Sequence, residues 1–453
     1  MNRKHLIIVP FITVIITGCS IPEQTVMTEK PVQVPVLQKY EEFQKDTVSG
    51  DTVSLQPDTI TLPQAIKLAL LHSPELKVYS YNLRAWDAEI LQQSLLPNPE
   101  AGLELENIAG GKDYRGAGAS EITLSVGQLI ELGKKREKRT RVAALSGNLA
   151  AWDYESKKLD VYTRVLKTFY NILALQEQLA QSRRLLQLAE ELSLSIEKRV
   201  LAGASSPAEQ ARAKIEVERA AMTVESIRYQ LKAAHAALAA TWGDDIATFR
   251  AAKGSISIPD QLPDLGSLKL LLVQNPDLKR MEAVRKKREA DIALQKALGV
   301  PDPVISFGYR RLNEISTNAF VAGVSIPIPY FDRNQGNIKK AQIFYQQTEA
   351  EKQALQITLS NRLTLLYQRL KDLQSQAHNL HDKIIPQAEG SLDILRQGYR
   401  EGKYSFLEVL DAQRSLFAAY TRYLQIQSEY RDTVSSIERL TGQSLTTVAG
   451  NNQ

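Results

Sequence analysis

A chain of 453 residues with 56 Lys and Arg against 51 Asp and Glu is close to electrical balance, and its excess of five positive charges falls by two if Arg3 and Lys4 leave with a leader. That balance excludes the basic surface that nucleic-acid partners require. A single cysteine, Cys19, excludes an intrachain disulfide, and the 23 Gly and 18 Pro are gathered in a few places that leave long stretches free to form helix.

Arg3 and Lys4 precede an apolar run from Leu6 to Ile16, too short to span a bilayer, which reads as a secretory signal over residues 1–18. Ile16-Thr17-Gly18-Cys19 resembles a bacterial lipobox, so Cys19 is expected to begin the mature chain and carry lipid; an ordinary signal with an incidental cysteine is the alternative. Ser20, in place of Asp, resembles an outer-membrane address. No other segment reaches 18 consecutive apolar residues, so a membrane crossing would have to use strands.

Residues 19–60, rich in Pro, Thr, Gln and charge, read as an extended strap. A first repeat follows over 61–243. Thr61-Leu62-Pro63 opens a short helix to about His72, and Ser73-Pro74 starts a second that ends before Pro97. Leu103 and Leu105 then alternate with Glu104 and Glu106, and Ile122, Leu124 and Val126 with Glu121, Thr123 and Ser125. With Gly110, Gly111, Gly116 and Gly118 between them, these runs predict a strand hairpin over about 100–127. A helix over about 134–200 would be on the order of 100 Å long, far beyond the needs of a globular core. Its seam of Leu159, Tyr162, Leu166, Phe169 and Leu173 has coiled-coil spacing. Gly203 marks the tip, and Ser206-Pro207 starts a return helix over about 206–241.

After a linker over 244–267 the pattern recurs about 200 residues on, as a second repeat over 268–442 and a tail over 443–453. Ser73-Pro74-Glu75-Leu76 answers Asn275-Pro276-Asp277-Leu278; Pro97-Asn98-Pro99 answers Pro301-Asp302-Pro303; Ala202-Gly203 answers Glu401-Gly402; Trp242-Gly243 answers Thr441-Gly442. The second copy predicts a strand hairpin over about 303–326, a long helix over about 334–401 with a seam from Leu359 to Ile384, a tip at Gly402 and a return helix over about 405–440. A period this long is an internal duplication, not a solenoid.

Strands polar on one face and apolar on the other suit a wet lumen and a lipid exterior, although a half-buried soluble sheet has the same alternation. Four strands cannot close a barrel, and open edges are forbidden in lipid, so several chains must each donate four. The chain shows no catalytic constellation, with only five histidines, no second cysteine and no phosphate-cradling glycine loop, so no enzyme activity or cofactor is expected. His378 and His381 are spaced i, i+3 and could share a metal, but flank a core seam and read as helix-surface residues.

In its duplication, strand hairpins and paired long helices the chain resembles the TolC-like outer-membrane efflux channel family from about Leu62 to Gly442. Leu95-Leu96-Pro97-Asn98-Pro99-Glu100, Glu106-Asn107 with Gly110-Gly111, and Gln128-Leu129-Ile130-Glu131-Leu132-Gly133-Lys134-Lys135-Arg136 resemble its heavy-metal, CzcC/CusC-like branch. The resemblance implies a mainly α fold with a membrane β-barrel: a homotrimer whose 12-stranded barrel continues into a 12-helix periplasmic α-barrel. It also implies an outer-membrane location, and as partners a periplasmic adaptor and an inner-membrane resistance-nodulation-division pump. The implied function is passive efflux of heavy-metal cations or drugs; a type I secretion exit duct and a periplasmic coiled-coil scaffold lipoprotein are the competing readings. At the second tip the resemblance makes Tyr399 a gate residue and Glu408 and Asp411 the acidic positions that narrow the periplasmic mouth. Tyr404 stands where some members carry an Arg used in an inter-helix lock, so that lock does not carry over.

Overall fold

The computed structural model describes residues 58–445 apart from 109, 112, 113 and 115. The leader, Cys19 and most of the strap and tail lie outside the described residues. The end of the strap forms a short strand, β1 (Thr59–Thr61), followed by α1 (Leu62–His72) and α2 (Pro74–Ser94). The backbone amide of Thr61 donates to Gln64 Oε1 at 2.9 Å, which satisfies a free N–H at the start of α1. Strands β2 (Glu100–Glu106) and β3 (Glu121–Leu129) lead into α3 (Lys135–Leu201), an unbroken helix of 67 residues, and α4 (Pro207–Ala239) returns.

The stretch read as linker is not featureless. It contributes β4 (Ala251–Lys253), which pairs in parallel with β1 and ties the start of the first repeat to its end, and then α5 (Leu265–Leu271). The second repeat supplies α6 (Pro276–Leu298), β5 (Val304–Leu312), β6 (Thr317–Ser325), α7 (Gln335–Asn379), α8 (Ile385–Arg400) and α9 (Phe406–Thr441).

The long helix expected over 334–401 is interrupted. A single π-turn, Leu380–Ile384, separates α7 from α8, and Pro386 lies in the first turn of α8. A π-turn adds one residue to the helix, so the apolar phase slips by one. The seam holds through Leu359, Leu363, Leu370, Leu373 and Ala377, but Ile384 is 46% exposed and Ile385 takes the core position. Helix α3 has no such break, and Leu159, Tyr162, Leu166, Phe169 and Leu173 are all buried in one cluster.

The helices pack side by side into one wall. Near the strands the order is α2, α3, α6, α7; toward the tips it is α4, α3, α9, α8, so α3 runs the full height and neighbours change around it. Two apolar clusters fill the middle, one around Phe169, Ile172 and Trp242 and one around Leu363, Leu370 and Tyr430, and a third joins the tips around Ile196, Leu392 and Phe406. Each large side chain buried in this way contributes about 1.5–3 kcal/mol.

The sheet is antiparallel in the order β2-β3-β5-β6, with β5 pairing β3 across the two repeats. On one face Leu103, Leu124, Tyr309 and Phe320 form a single cross-strand row, all strongly exposed. The opposite face carries Glu104, Thr123, Arg310 and Ala319 in the neighbouring row. Among the described residues no helix is long and apolar enough to cross a membrane.

The strand–helix junction is built from residues that accept unusual backbone. Gly133 (φ 68°) and Lys134 (φ 59°) are left-handed where β3 enters α3, and Asn334 (φ 61°) does the same for α7. Lys134 therefore caps the helix instead of beginning it. Lys135 is buried and donates to Asp302 Oδ2 and to the carbonyl of Val300, both at 2.6 Å, while Asp302 Oδ1 accepts from the backbone of Leu132 at 2.8 Å. One carboxylate from the Pro-Asp-Pro segment thus locks the second repeat onto the first.

Candidate functional site

The two hairpin tips close by the same geometry. In the first, the amide of Ala204 donates to the carbonyl of Arg199 (2.7 Å) and that of Gly203 to Val200 (3.0 Å); in the second, Lys403 donates to Gly398 (2.8 Å) and Gly402 to Tyr399 (3.1 Å). This paired closure needs a left-handed residue after the helix, supplied by Gly203 (φ 70°) and Gly402 (φ 76°). Ser206 and Ser405 then cap the return helices, accepting from the amides of Glu209 and Glu408.

The tips touch through Tyr399. Its ring is 5% exposed, lies 6.4 Å from the ring of Phe406, and is covered by the guanidinium of Arg199 at 4.6 Å. Arg199 Nη1 also donates to the carbonyl of Tyr399 at 2.9 Å, a second bond to an oxygen that already accepts from the amide of Gly402. The Tyr399 hydroxyl is buried with no hydrogen-bond partner among the described residues. An edge of the Tyr404 ring packs on Gly398, where a Cβ would stand 2.2 Å from that ring, so a larger residue here would displace Tyr404.

Glu408 and Asp411 are exposed on a face of α9 opposite the buried Val409, Leu410 and Ala412, and neither meets Tyr399. The Glu408 carboxylate accepts from the backbone amide of Ser405 (2.7 Å) and its hydroxyl (2.8 Å), and these bonds hold its carboxyl below the usual carboxylate range. Asp411 follows one turn later. The two histidines of the second hairpin point to separate carboxylates, His378 to Asp260 at 3.5 Å and His381 to Asp382 at 2.7 Å, and among the described residues no group of three or more potential ligands is poised for a metal.

A family model described as outer membrane efflux protein matches residues 65–244 and 267–443, the two repeats in turn. The chain belongs to that family. It is accordingly an outer-membrane efflux channel of a tripartite system and not an enzyme. Among curated relatives, the cobalt-zinc-cadmium resistance protein CzcC of Cupriavidus metallidurans is 30% identical over 84% of this chain and 90% of its own length. The probable outer membrane lipoprotein SilC of Salmonella typhimurium is 28% identical over 58% of this chain and 59% of its own length. Of solved structures, VceC from Vibrio cholerae matches with a TM-score of 0.69 at 19% identity, covering 85% of this chain and 96% of that one. CusC matches with a TM-score of 0.67 at 19% identity, covering 84% and 92%. These two support the fold: long helices with four antiparallel strands.

Sequence reasoning missed several residues of this efflux channel. Arg199 sits about 200 positions from Tyr399 and carries no local signal; only the duplication, which places it three residues before the tip alanine as Gly398 stands three before Glu401, could have suggested a look. Arg310 belongs to the polar set of an alternating strand and carries no further local signal, yet it gathers Glu106, Glu121 and Thr123 across three strands. Lys135 was noted only as part of a motif.

Proposed function

We propose that three copies of this chain close into one conduit, a twelve-stranded barrel in the outer membrane continuous with a twelve-helix barrel in the periplasm, which carries heavy-metal cations outward from a pump and adaptor. The observation that carries this reading is the sheet: four strands, apolar on one face, with β2 and β6 left as unpaired edges. Unpaired backbone groups cost several kcal/mol each in lipid, and pairing β6 of one chain with β2 of the next removes every edge. The four-helix width of the wall at both levels fits the same threefold closure. Native mass spectrometry of detergent-extracted protein is expected to give three chains; a folded monomer in the membrane would overturn the assembly.

The metal cargo is supported by the named roles of relatives such as CzcC in cobalt, zinc and cadmium resistance. This chain supplies the passage, and the choice among metals is assigned to the pump and adaptor. A strain deleted for this channel should regain zinc, cobalt or cadmium tolerance on complementation; restored drug tolerance with unchanged metal tolerance would replace the cargo assignment.

In this conduit the tips form the periplasmic gate. Arg199 holds Tyr399 and thereby keeps the two hairpins of one chain together, and threefold symmetry brings Glu408 and Asp411 into carboxylate rings at the mouth, a recurring device of cation-selective pores. The Glu408→Ala, Asp411→Ala pair should weaken cation preference and relieve periplasmic block by trivalent cations in single-channel recordings. Cys19, outside the described residues, is proposed as a lipid anchor additional to the barrel; mass spectrometry of the mature terminus showing no acyl group would remove it.

A further inference from the structure

The polar face of the sheet changes in size along its length. Near the helices it carries mostly small residues, Gly102, Ser125, Gly127, Ser306, Gly308 and Gly323, with Glu100 on its first strand. A Cβ on Gly102 would stand 3.0 Å from Ser125 Oγ, and one on Gly323 2.9 Å from Ser306 Oγ, the crowding expected on the concave side of a curved sheet. At the loop end, away from the helices, the same face carries Glu104, Glu106, Glu121, Thr123 and Arg310. Long charged side chains are therefore concentrated toward the loop end, where Glu104, Glu106, Glu121 and Arg310 share this face, against Glu100 near the helices.

Those charges are organised around one guanidinium. Arg310 Nη1 meets Glu121 Oε2 at 2.7 Å, Nη2 meets Glu106 Oε2 at 2.9 Å, and Nε donates to Thr123 Oγ1 at 2.8 Å. Beyond it, Asn313 donates its amide to the carbonyl of Ser120 (3.0 Å) and Nδ2 to the Ser120 hydroxyl (2.7 Å), which ties the two hairpin loops together above the cluster. Glu104 is exposed on the same face, and among the described residues no cation pairs with it.

We propose that Arg310 is a specificity-determining residue of the exit: held between Glu106 and Glu121, it neutralises part of a carboxylate collar and so sets how strongly the strand barrel prefers cations over anions. The inference rests on the channel reading above. Twelve strands about 4.8 Å apart and tilted by about 40° give a backbone radius of roughly 12 Å. Side chains reaching about 6 Å inward leave the axis within one screening length, about 8 Å, of their charges at physiological salt. The collar is a second charge selection, separated from the tip carboxylates by the full height of the helical wall.

The test is the reversal potential of the purified trimer in a planar bilayer under a tenfold KCl gradient. Arg310→Gln frees the carboxylates and should raise the cation-to-anion permeability ratio by about threefold or more, while Glu104→Gln with Glu106→Gln should lower it by a similar factor. Arg310→Lys, which keeps the charge, should stay near the wild-type ratio. If Arg310 only staples the strands, Arg310→Gln will weaken the heat resistance of the trimer and leave the ratio unmoved, and that result overturns the proposal. Glu104→Gln alone breaks no ion pair, so it still decides the question if Arg310→Gln does not assemble: an unchanged ratio there also overturns the collar. A wild-type trimer with no conductance would remove the channel reading and the collar with it, whereas conducting channels with unmoved ratios remove the collar alone.

Discussion

The two hairpins descend from one duplicated unit and close with the same pair of hydrogen bonds, yet the long helix is continuous in one and interrupted in the other. The first is carried by α3, an unbroken helix of 67 residues whose seam holds from Leu159 to Leu173. The second changes phase at a π-turn over Leu380–Ile384 and restarts at Pro386, whose ring cannot donate a helical hydrogen bond. His381, in that turn, stacks at 5.6 Å on Tyr423 of α9 instead of entering the core. The difference teaches that duplication preserves the length and ends of an element while leaving its interior free to diverge. The first hairpin can serve as the fixed post, and the second, which carries Tyr399, Glu408 and Asp411, as the part that moves.

The largest effect is expected from imposing the second hairpin's break on the first. Counting back from the tip glycines, Gln187 of α3 corresponds to Pro386. Gln187→Pro should cost about 3 kcal/mol or more, because it removes a hydrogen bond and clashes with the preceding turn. A large fall in the thermal midpoint followed by circular dichroism is expected, whereas Pro386→Ala should leave the midpoint within a few degrees and reduce open probability. Equal effects of the two changes would erase the distinction between post and moving part.

A second comparison concerns the acid that follows the proline opening α2 and α6. Asp277 is held in a partly buried network: Arg439 meets Asp160 at 2.6 Å, Asp277 at 3.3 Å and Ser156 Oγ at 3.0 Å, joining α9, α3 and α6. Glu75 instead meets Lys157 and, at 2.5 Å, Arg164 on an open surface. Arg439→Ala leaves two acids without their cation and should cost about 3 kcal/mol in urea unfolding. Arg164→Ala should cost no more than about 1 kcal/mol. Reversal of that order would contradict the burial argument.

At the tips, Arg199→Ala removes a stacked cation and a carbonyl bond, and a loss of about 1–2 kcal/mol should appear as a higher open probability in single-channel recordings. Tyr399→Phe removes a hydroxyl that bonds nothing among the described residues and should change gating within about 0.5 kcal/mol. A Phe variant that opens as readily as the Arg199 variant would mean that the hydroxyl finds its partner on a neighbouring chain.

A further small effect is the pH dependence that Glu75 brings to the first repeat. Hydrogen bonds from Arg164 and then Lys157 lower the Glu75 carboxyl from its ordinary 4.5 to about 2. Its folded value is depressed, so its contribution is complete above the unfolded value and is lost as pH falls through about 2. Because the pair is nearly half exposed, the total is held to about 1 kcal/mol. Urea midpoints measured between pH 5 and pH 2 should fall less steeply for Glu75→Gln than for the parent; identical slopes would show that the pair contributes nothing.

Much of this molecule was legible in its sequence because the signals were local and periodic. Helix existence followed from seam spacing, strand hairpins from alternation between glycine loops, and tips from Gly203 and Gly402, since each depends on a few neighbouring residues and on backbone sterics. The second seam was misplaced by one residue at Ile384 because no heptad rule marks where a chain will insert a π-turn; Pro386 alone fits either a kink or a plain first-turn position. The parallel pairing of β1 with β4 was missed because three-residue strands carry no period of their own.

The sequence by itself determined the repeat, the order and approximate lengths of the elements, the two-faced strands and the acidic character of the second tip, all consequences of short-range chemistry. Only the tertiary structure decided that Arg199 rests on Tyr399, that Lys135 is spent on Asp302, that Glu408 caps its own helix, and that Arg310 gathers the carboxylates of two other strands. Most of those partners lie between about 165 and 205 residues apart in the chain, and a charged side chain carries no mark of which distant opposite charge it will meet. That choice is made when the helices and strands pack and exclude the alternatives.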